Sequence, residues 1–258
     1  MYRAFNVKLD DPNWQKFATN YNYDDLSNSS KEILKKVVNS SQKISADKIK
    51  EILMPRNPYD IFISHSHKDL NLAKGLAGYL QKYCKVSCFI DSLYWGNIDD
   101  LQNEVNELHL TYDDTTRRSY YDYEKTLQVA KHANMILASA LTEMIDNCEC
   151  VFFLNTDNSV IRGTEAISKN ETYSPWIYHE VFTTSIIHRR KTDRRAALEE
   201  QQIRNNAIKP LPQFIYNLDL TGMTILNDDD IIRWRSAVKY DYNNNPLDVL
   251  YNLNPELN

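Results

Sequence analysis

The chain has 258 residues, of which 42% are hydrophobic and 25% charged, as is usual for a globular domain with a sizeable core. Its net charge of −5 argues against nucleic acid as the main partner, because nucleic-acid-binding domains are usually basic. Its five glycines form neither a G-x-x-x-x-G-K-[ST] nor a G-x-G-x-x-G motif, which argues against a P-loop or a Rossmann dinucleotide site.

The sequence has no sign of a secreted or membrane protein. The opening residues, MYRAFNVKLDDPNW, contain no apolar run of the signal-peptide type, and no stretch approaches the roughly 18 apolar residues of a membrane span. We therefore expect a soluble cytoplasmic protein with no membrane partner. The cysteine spacings match no common zinc motif, and His65 with His67 offers only two ligands, so we predict no metal site. Reduced, buried thiols are expected at Cys84, Cys88, Cys148 and Cys150.

The first 57 residues differ in pattern from the rest of the chain. SSKEILKKVVNSS (29–41) and SADKIKEIL (45–53) predict two short amphipathic helices. MPRNP (54–58) contains two prolines and predicts a boundary. We therefore predict three regions, which are a helical N-terminal extension over 1–57, a main domain over 58–240 and a C-terminal tail over 241–258.

After this boundary, short β-rich runs alternate with amphipathic helical stretches. Strands are predicted at YDIFIS (59–64), VSCFID (86–91), CVFFLN (150–155) and PQFIYNLDL (212–220). Helices are predicted after Asp69, which is placed to cap the first of them, over 120–147, from Ser174, and over 228–238. This alternation predicts an α/β fold with a parallel sheet flanked by helices. Ligands of such folds bind at the carboxyl ends of the strands.

Glu180 is an acid on the apolar side of a predicted helix, in the stretch SPWIYHEVF (174–182). Ser174 and Pro175 are favourable residues at a helix start, and successive residues then step about 100° around the axis. With this phasing, Glu180 lies beside Trp176 in the middle of the apolar arc, where a hydrophobic residue is expected.

Several interpretations of this acid are open. Ile177, rather than Glu180, occupies the position of a capping-box acid, so capping does not explain it. A buried ion pair with Arg189, Arg190 or a distant lysine is one interpretation, because buried charges are usually paired. A solvated acid on a mis-phased helix is a second. We favour a third, a carboxylate at the floor of a cleft, where burial and polar partners prepare it for chemistry.

A single carboxylate is enough for one class of bond cleavage. Glycosidases need two groups, since the leaving alkoxide must be protonated. In NAD the nicotinamide ring is already cationic and departs neutral, so no general acid is needed. A carboxylate can stabilise the oxocarbenium-like ribose by its field and by hydrogen bonds to the ribose hydroxyls. Neighbouring aromatic side chains can exclude water and stack on a flat ring.

Four stretches, in this order, resemble the boxes of Toll/interleukin-1 receptor (TIR) domains. YDIFISHSHKD (59–69) resembles the first box, and VSCFIDSLYWG (86–96) resembles the second strand and its following loop. CVFFLN (150–155) and SPWIYHE (174–180) resemble the third strand and the W-x-x-x-E helix. The resemblance covers roughly residues 58–240 and implies a flavodoxin-like fold. The chain departs from the family in insertions at 97–120 and 156–173.

The enzymatic branch of this family cleaves NAD and releases nicotinamide. By resemblance, Glu180 at the end of W-x-x-x-E is the catalytic residue. The same resemblance implies that NAD contacts Phe62, Ser64, His65, Ser66, Asp91, Trp95 and Trp176. NAD is then the substrate, and no bound cofactor is expected.

The chain resembles stand-alone bacterial TIR proteins of the Thoeris antiphage type. This resemblance implies an NAD+ nucleosidase or ADP-ribosyl cyclase that makes an ADP-ribose-derived signal nucleotide. It also implies self-association through TIR domains and a separate nucleotide-sensing effector protein. The alternative is a non-enzymatic TIR interaction or adaptor module, for which the tyrosine-rich and charged stretch 112–125 would supply a surface. A flavodoxin-like domain for another nucleotide rests on fold analogy alone.

Overall fold

The computed structural model describes residues 2–23, 32–37, 45–55, 57–107, 110–161, 170–187, 216–241 and 243–255. The chain forms two units. The first comprises Met1–Asn22, Pro58–Ile90 and Met144–Asn258, and the second comprises Tyr23–Asn57 and Asp91–Glu143.

The described residues form short strands and longer helices that alternate along most of the chain. The strands are β1 (Arg3–Val7), β2 (Ile61–Ser64), β3 (Cys88–Ile90), β4 (Leu110–Asp113), β5 (Arg118–Tyr121), β6 (Cys150–Leu154), β7 (Glu171–Thr172), β8 (Tyr216–Asn217) and β9 (Thr224–Leu226). The helices are α1 (32–37), α2 (Ala46–Leu53), α3 (Leu70–Tyr79), α4 (Trp95–Glu107), α5 (Tyr123–Asn147), α6 (Pro175–Ile186), α7 (Asp228–Tyr240) and α8 (Pro246–Leu253). A 3₁₀ helix, Pro12–Asn20, follows β1.

The first unit contains a five-stranded sheet in the order β3-β2-β6-β1-β9, and every neighbouring pair is parallel. This sheet, flanked by helices, confirms the predicted α/β flavodoxin-like fold. The strands predicted at 59–64, 86–91 and 150–155 are present as β2, β3 and β6. All residues of β2, β3 and β6 are buried, as expected for parallel strands with both faces covered.

Two sequence expectations about the sheet are wrong. The helices predicted in the extension over 1–57 are present as α1 and α2, but its first residues form β1, a strand that was not predicted and that lies between β6 and β9. Of the predicted fourth strand at 212–220, residues 212–215 lie outside the described residues, and the described remainder is not in this sheet. Among its described residues only Tyr216–Asn217 is a strand, and it pairs antiparallel with β7.

Aromatic and aliphatic side chains attach helices to the two faces of the sheet. On one face, Trp234 of α7 packs against Phe152, with ring centroids 6.2 Å apart, and Tyr251 of α8 stacks on Phe5 at 6.3 Å. On the other face, Phe153 belongs to a buried cluster with Ile177 and other side chains of α6. Each face therefore has its own apolar core. Ser64 and Phe153 are register partners on neighbouring strands, so their side chains point to the same face of the sheet. Helix α6 lies on that face.

The second unit contains α1, α2, α4, most of α5 and a two-stranded hairpin. Its helices bury apolar side chains that include Leu34, Ile49, Leu101, Leu137 and Leu141. The insertion at 97–120 is resolved into α4 and the antiparallel pair β4–β5. In the ranges that the structure describes, no helix combines the length and hydropathy that crossing a bilayer requires.

All four cysteines are buried and free, as predicted. Desolvation raises the pKa of the Cys84 thiol to about 12. Burial also raises the pKa values of Cys88, Cys148 and Cys150 well above the ordinary value. These thiols are therefore neutral in the folded protein at any pH near 7 and are poor nucleophiles.

We expect stability to fall steeply between pH 8 and pH 10. Unfolded thiols ionise near their ordinary pKa, whereas the folded thiols keep their protons, so the folded state binds more protons above that pH. Each thiol then costs about 1.4 kcal/mol of unfolding free energy over this interval. Urea unfolding at several pH values measures the effect. In Cys84→Ala, the fall in unfolding free energy between pH 8 and pH 10 should be smaller by the contribution of one thiol. A constant free energy of unfolding across this interval would contradict burial of the thiols.

Candidate active site

Glu180 is buried on α6 and is held by a hydroxyl group at the end of a central strand. Its side chain is 1% exposed, and Ser64 Oγ donates a hydrogen bond to its Oε2 at 2.5 Å. Ser64 is the last residue of β2, so the contact lies at the carboxyl end of the sheet. The burial confirms that Glu180 points inward and shows that the solvated-acid interpretation is wrong.

The phasing of α6 follows from its first turn. Ser174 Oγ accepts a hydrogen bond from the Ile177 amide at 3.2 Å, and Pro175 is the first helical residue, as predicted. The buried positions then include Ile177, Glu180, Val181 and Thr184. This i, i+3, i+4, i+7 spacing is the inward stripe of an amphipathic helix, and Glu180 occupies one of its central positions.

The ion-pair interpretation of Glu180 named Arg189 and Arg190, which lie outside the described residues. The bond from Ser64 restrains one oxygen of the carboxylate. A carboxylate offers about four acceptor positions, of which the serine hydroxyl occupies one.

The turn after β2 contributes further polar groups. His65 is buried, and its Nδ1 lies 3.3 Å from the Ile63 carbonyl oxygen. Ser66 is half-buried and accepts a hydrogen bond from the Asp69 amide through its carbonyl at 2.7 Å. The first box therefore places a histidine and two serines at the carboxyl end of β2, as the sequence predicted.

Asp69 has a different role from the one predicted. It occupies the cap position of α3, but its side chain makes no cap hydrogen bond. Its carboxylate instead accepts from Thr156 Oγ1 at 2.5 Å and from Asn158 Nδ2 at 2.7 Å. Asp69 thus ties the loop after β6 to the start of α3. No sequence signal pointed to these two partners beyond their place in a long loop after a strand.

The other residues expected to contact NAD have varied positions. Phe62 is fully buried and packs on Phe89 with centroids 5.4 Å apart, so its surroundings are those of a core residue. Trp176 is half-buried in the first turn of α6. Asp91 and Trp95 belong to the second unit. Asp91 is buried, and the side chain of Trp95 lies outside what the structure describes.

A cleft of about 850 Å³ lies beside the turn after β2. Its wall is formed by Lys68, by the segment after β6 and by the segment that leads into α6. The lining residues are Lys68, Asp157, Asn158, Ser159, Val160, Ile161, Thr172, Tyr173 and Ser174. The sequence predicted a long loop over the insertion at 156–173. The described ends of this insertion supply most of the wall. The cleft has the size of a small-molecule site and lies where α/β folds bind ligands.

Comparison with family models, with curated proteins and with solved structures finds no match for this chain. In the described part of the chain, no group of three or more histidine, cysteine or acidic side chains is arranged to hold a metal ion. The candidate site therefore rests on its own geometry, which is a buried carboxylate, a serine that donates to it, and a cleft at the same edge of the sheet.

We expect Ser64→Ala to destabilise the protein by about 1–3 kcal/mol, because it leaves a buried carboxylate oxygen without its hydroxyl donor. Urea unfolding measures this loss. Ser66→Ala is the matched control, since Ser66 is half-buried in the next turn, and it should change stability by less than about 0.5 kcal/mol. Equal stability of the two variants would show that the Ser64–Glu180 bond contributes nothing.

Proposed function

We propose that this protein cleaves the bond between nicotinamide and ribose in NAD, as an NAD+ nucleosidase or ADP-ribosyl cyclase, with Glu180 as the catalytic residue. The observation that carries the proposal is the buried Glu180 carboxylate, fixed by Ser64 at the carboxyl end of a parallel sheet. Burial of a charged group costs free energy. A buried acid at the carboxyl end of a strand therefore favours a functional role over a packing role.

The proposed reaction needs one negative group. The bond between ribose C1′ and the nicotinamide nitrogen breaks, and its electron pair returns to the ring, which leaves as neutral nicotinamide. The ribose becomes an oxocarbenium-like cation, and Glu180 stabilises it by its charge and by accepting hydrogen bonds from ribose hydroxyls. A nucleophile, either water or a group within the ADP-ribosyl moiety, then adds to C1′ and releases a proton.

Ser64 serves as a positioning residue in this scheme. Its hydroxyl holds one carboxylate oxygen at 2.5 Å, so the carboxylate meets the ribose in a single orientation. Orientation of this kind contributes to rate because a misplaced group loses much of its effect. Half-buried Trp176, one turn before Glu180, supplies an aromatic surface beside the same helix.

The biological role is proposed from the resemblance of the four sequence stretches to TIR domains. NAD cleavage would yield ADP-ribose or a cyclic or conjugated derivative that signals to a separate effector protein in antiphage defence. The test is the NAD content of cells that produce the protein, measured by chromatography before and after phage infection. We expect NAD to fall and nicotinamide to rise only with the wild-type protein. Intact NAD in infected cells would overturn the proposal.

A second candidate is an interaction module, and the hairpin β4–β5 favours it. Four tyrosines on or next to this hairpin are more than half exposed, namely Tyr112, Tyr120, Tyr121 and Tyr123. Exposed aromatic residues in a group are typical of protein interaction sites. Full defence by a Glu180→Ala variant would favour the module over the enzyme.

A further inference from the structure

The cleft beside α6 has walls that are fixed before any ligand arrives. Ser159 Oγ donates to the Leu154 carbonyl at 2.7 Å and accepts from the Thr156 amide at 2.9 Å. Asn158 is held by Asp69, and the Ile161 amide donates to the Glu171 carbonyl at 2.6 Å. The two segments that form the wall are therefore joined to each other and to the sheet. Such a wall loses little entropy on binding.

The lining of the cleft carries three kinds of group that together match a nucleotide. Lys68 supplies an exposed ammonium group, which suits phosphate oxygens. Asp157 supplies a carboxylate, which suits the paired hydroxyls of a ribose. Tyr173, half of whose surface is exposed, supplies an aromatic face for a base. The hydroxyl and amide groups of Asn158, Ser159 and Thr172 add donors and acceptors along the wall.

We propose that this cleft binds the nucleoside diphosphate portion of the substrate, with Lys68 on the phosphates, Asp157 on the ribose and Tyr173 against the base. The assignment of this ligand to the NAD molecule rests on the proposed function. The site itself stands on the lining residues and binds a free nucleoside diphosphate in the same way.

The spacing along α6 is compatible with one ligand that reaches both places. Ser174 lines the cleft and Glu180 lies six residues further along the helix. Six residues at 1.5 Å each place the catalytic carboxylate about 9 Å along the axis from the cleft. Lys68 likewise follows Ser64 by four residues through the turn after β2. In a dinucleotide bound along this span, one nucleotide would lie in the cleft and the other beside Glu180.

The test is calorimetric titration of ADP into the full-length protein at low ionic strength. We expect ADP to bind, and Lys68→Met to weaken the binding at least tenfold. Lys239→Met is the matched control, because Lys239 is an exposed lysine on α7, a helix of the opposite sheet face, and should stay within twofold of wild type. Tyr173→Ala should weaken ADP binding as well.

A second titration separates this inference from the proposed function. Glu180→Gln should abolish NAD cleavage and leave the affinity for ADP within twofold of wild type. Loss of ADP affinity in Lys68→Met supports the cleft even where NAD is not cleaved. Absence of ADP binding to the wild type, or equal ADP affinity of Lys68→Met and Lys239→Met, overturns the inference, whatever the result of the NAD assay.

Discussion

Replacement of Glu180 by glutamine should reduce the rate of NAD cleavage about 10³-fold. Glutamine keeps the shape of the side chain and can still accept the hydrogen bond from Ser64 through its amide oxygen. It removes the negative charge, which is the property that the oxocarbenium-like ribose requires. The measurement is nicotinamide release by purified Glu180→Gln, compared with wild type at equal protein concentration.

The folded state of this variant must be checked beside its rate. The side chain is buried, so a substitution there can change stability, and thermal unfolding of the variant shows whether it is folded at the assay temperature. Low activity in a folded variant is then a loss of chemistry. Wild-type activity in Glu180→Gln would remove Glu180 from the mechanism and leave its burial as a structural feature.

Gly78→Ala should destabilise the protein by about 3 kcal/mol or more. Gly78 lies in α3 against the 3₁₀ helix Pro12–Asn20, and a Cβ there would fall well inside 3.0 Å of the Phe17 carbonyl oxygen. That oxygen is a backbone atom, so relief would require the two helices to separate. Separation would break two ring contacts with Tyr79. The ring centroid of Phe17 lies 5.0 Å from that of Tyr79, and the ring centroid of Trp14 lies 4.8 Å from it.

The sign of this effect distinguishes close packing from helix propensity. Alanine stabilises an exposed helix interior by about 1 kcal/mol relative to glycine, so a change governed by propensity would raise stability. Asn71→Ala in the exposed first turn of α3 is the control and should change the unfolding free energy by less than about 0.5 kcal/mol. A Gly78→Ala variant that melts at or above the wild-type temperature would contradict the packing described for this helix pair.

The parts of the fold that local sequence specifies were predictable. The strands β2, β3 and β6 are short apolar runs bounded by polar turns, and the capping pair Ser174–Pro175 set the phase of α6. That phase was enough to predict that Glu180 is buried. The contact with Ser64 was also within reach, because both residues were expected at the carboxyl edge of the same sheet.

The parts that depend on distant contacts were missed. RAFNV is a five-residue run that becomes a strand only by pairing with β6 and β9, which lie far along the chain, so no local pattern identifies it as central. Asp69 was predicted as a cap because capping is a local interaction, whereas its true partners are Thr156 and Asn158. The cleft lining was missed for the same reason, since it joins a turn and two separated segments.

The claim that one carboxylate suffices because the leaving group is cationic can be tested by comparing NAD with NADH as substrates of the purified protein. Nicotinamide departs from NAD without protonation, whereas the neutral dihydronicotinamide of NADH would need an acid. We expect mass spectrometry to show NAD converted to nicotinamide and an ADP-ribose-derived product in equal amounts, with NADH left intact. Cleavage of NADH at a rate similar to that of NAD, or no cleavage of NAD, would contradict the mechanism proposed for Glu180.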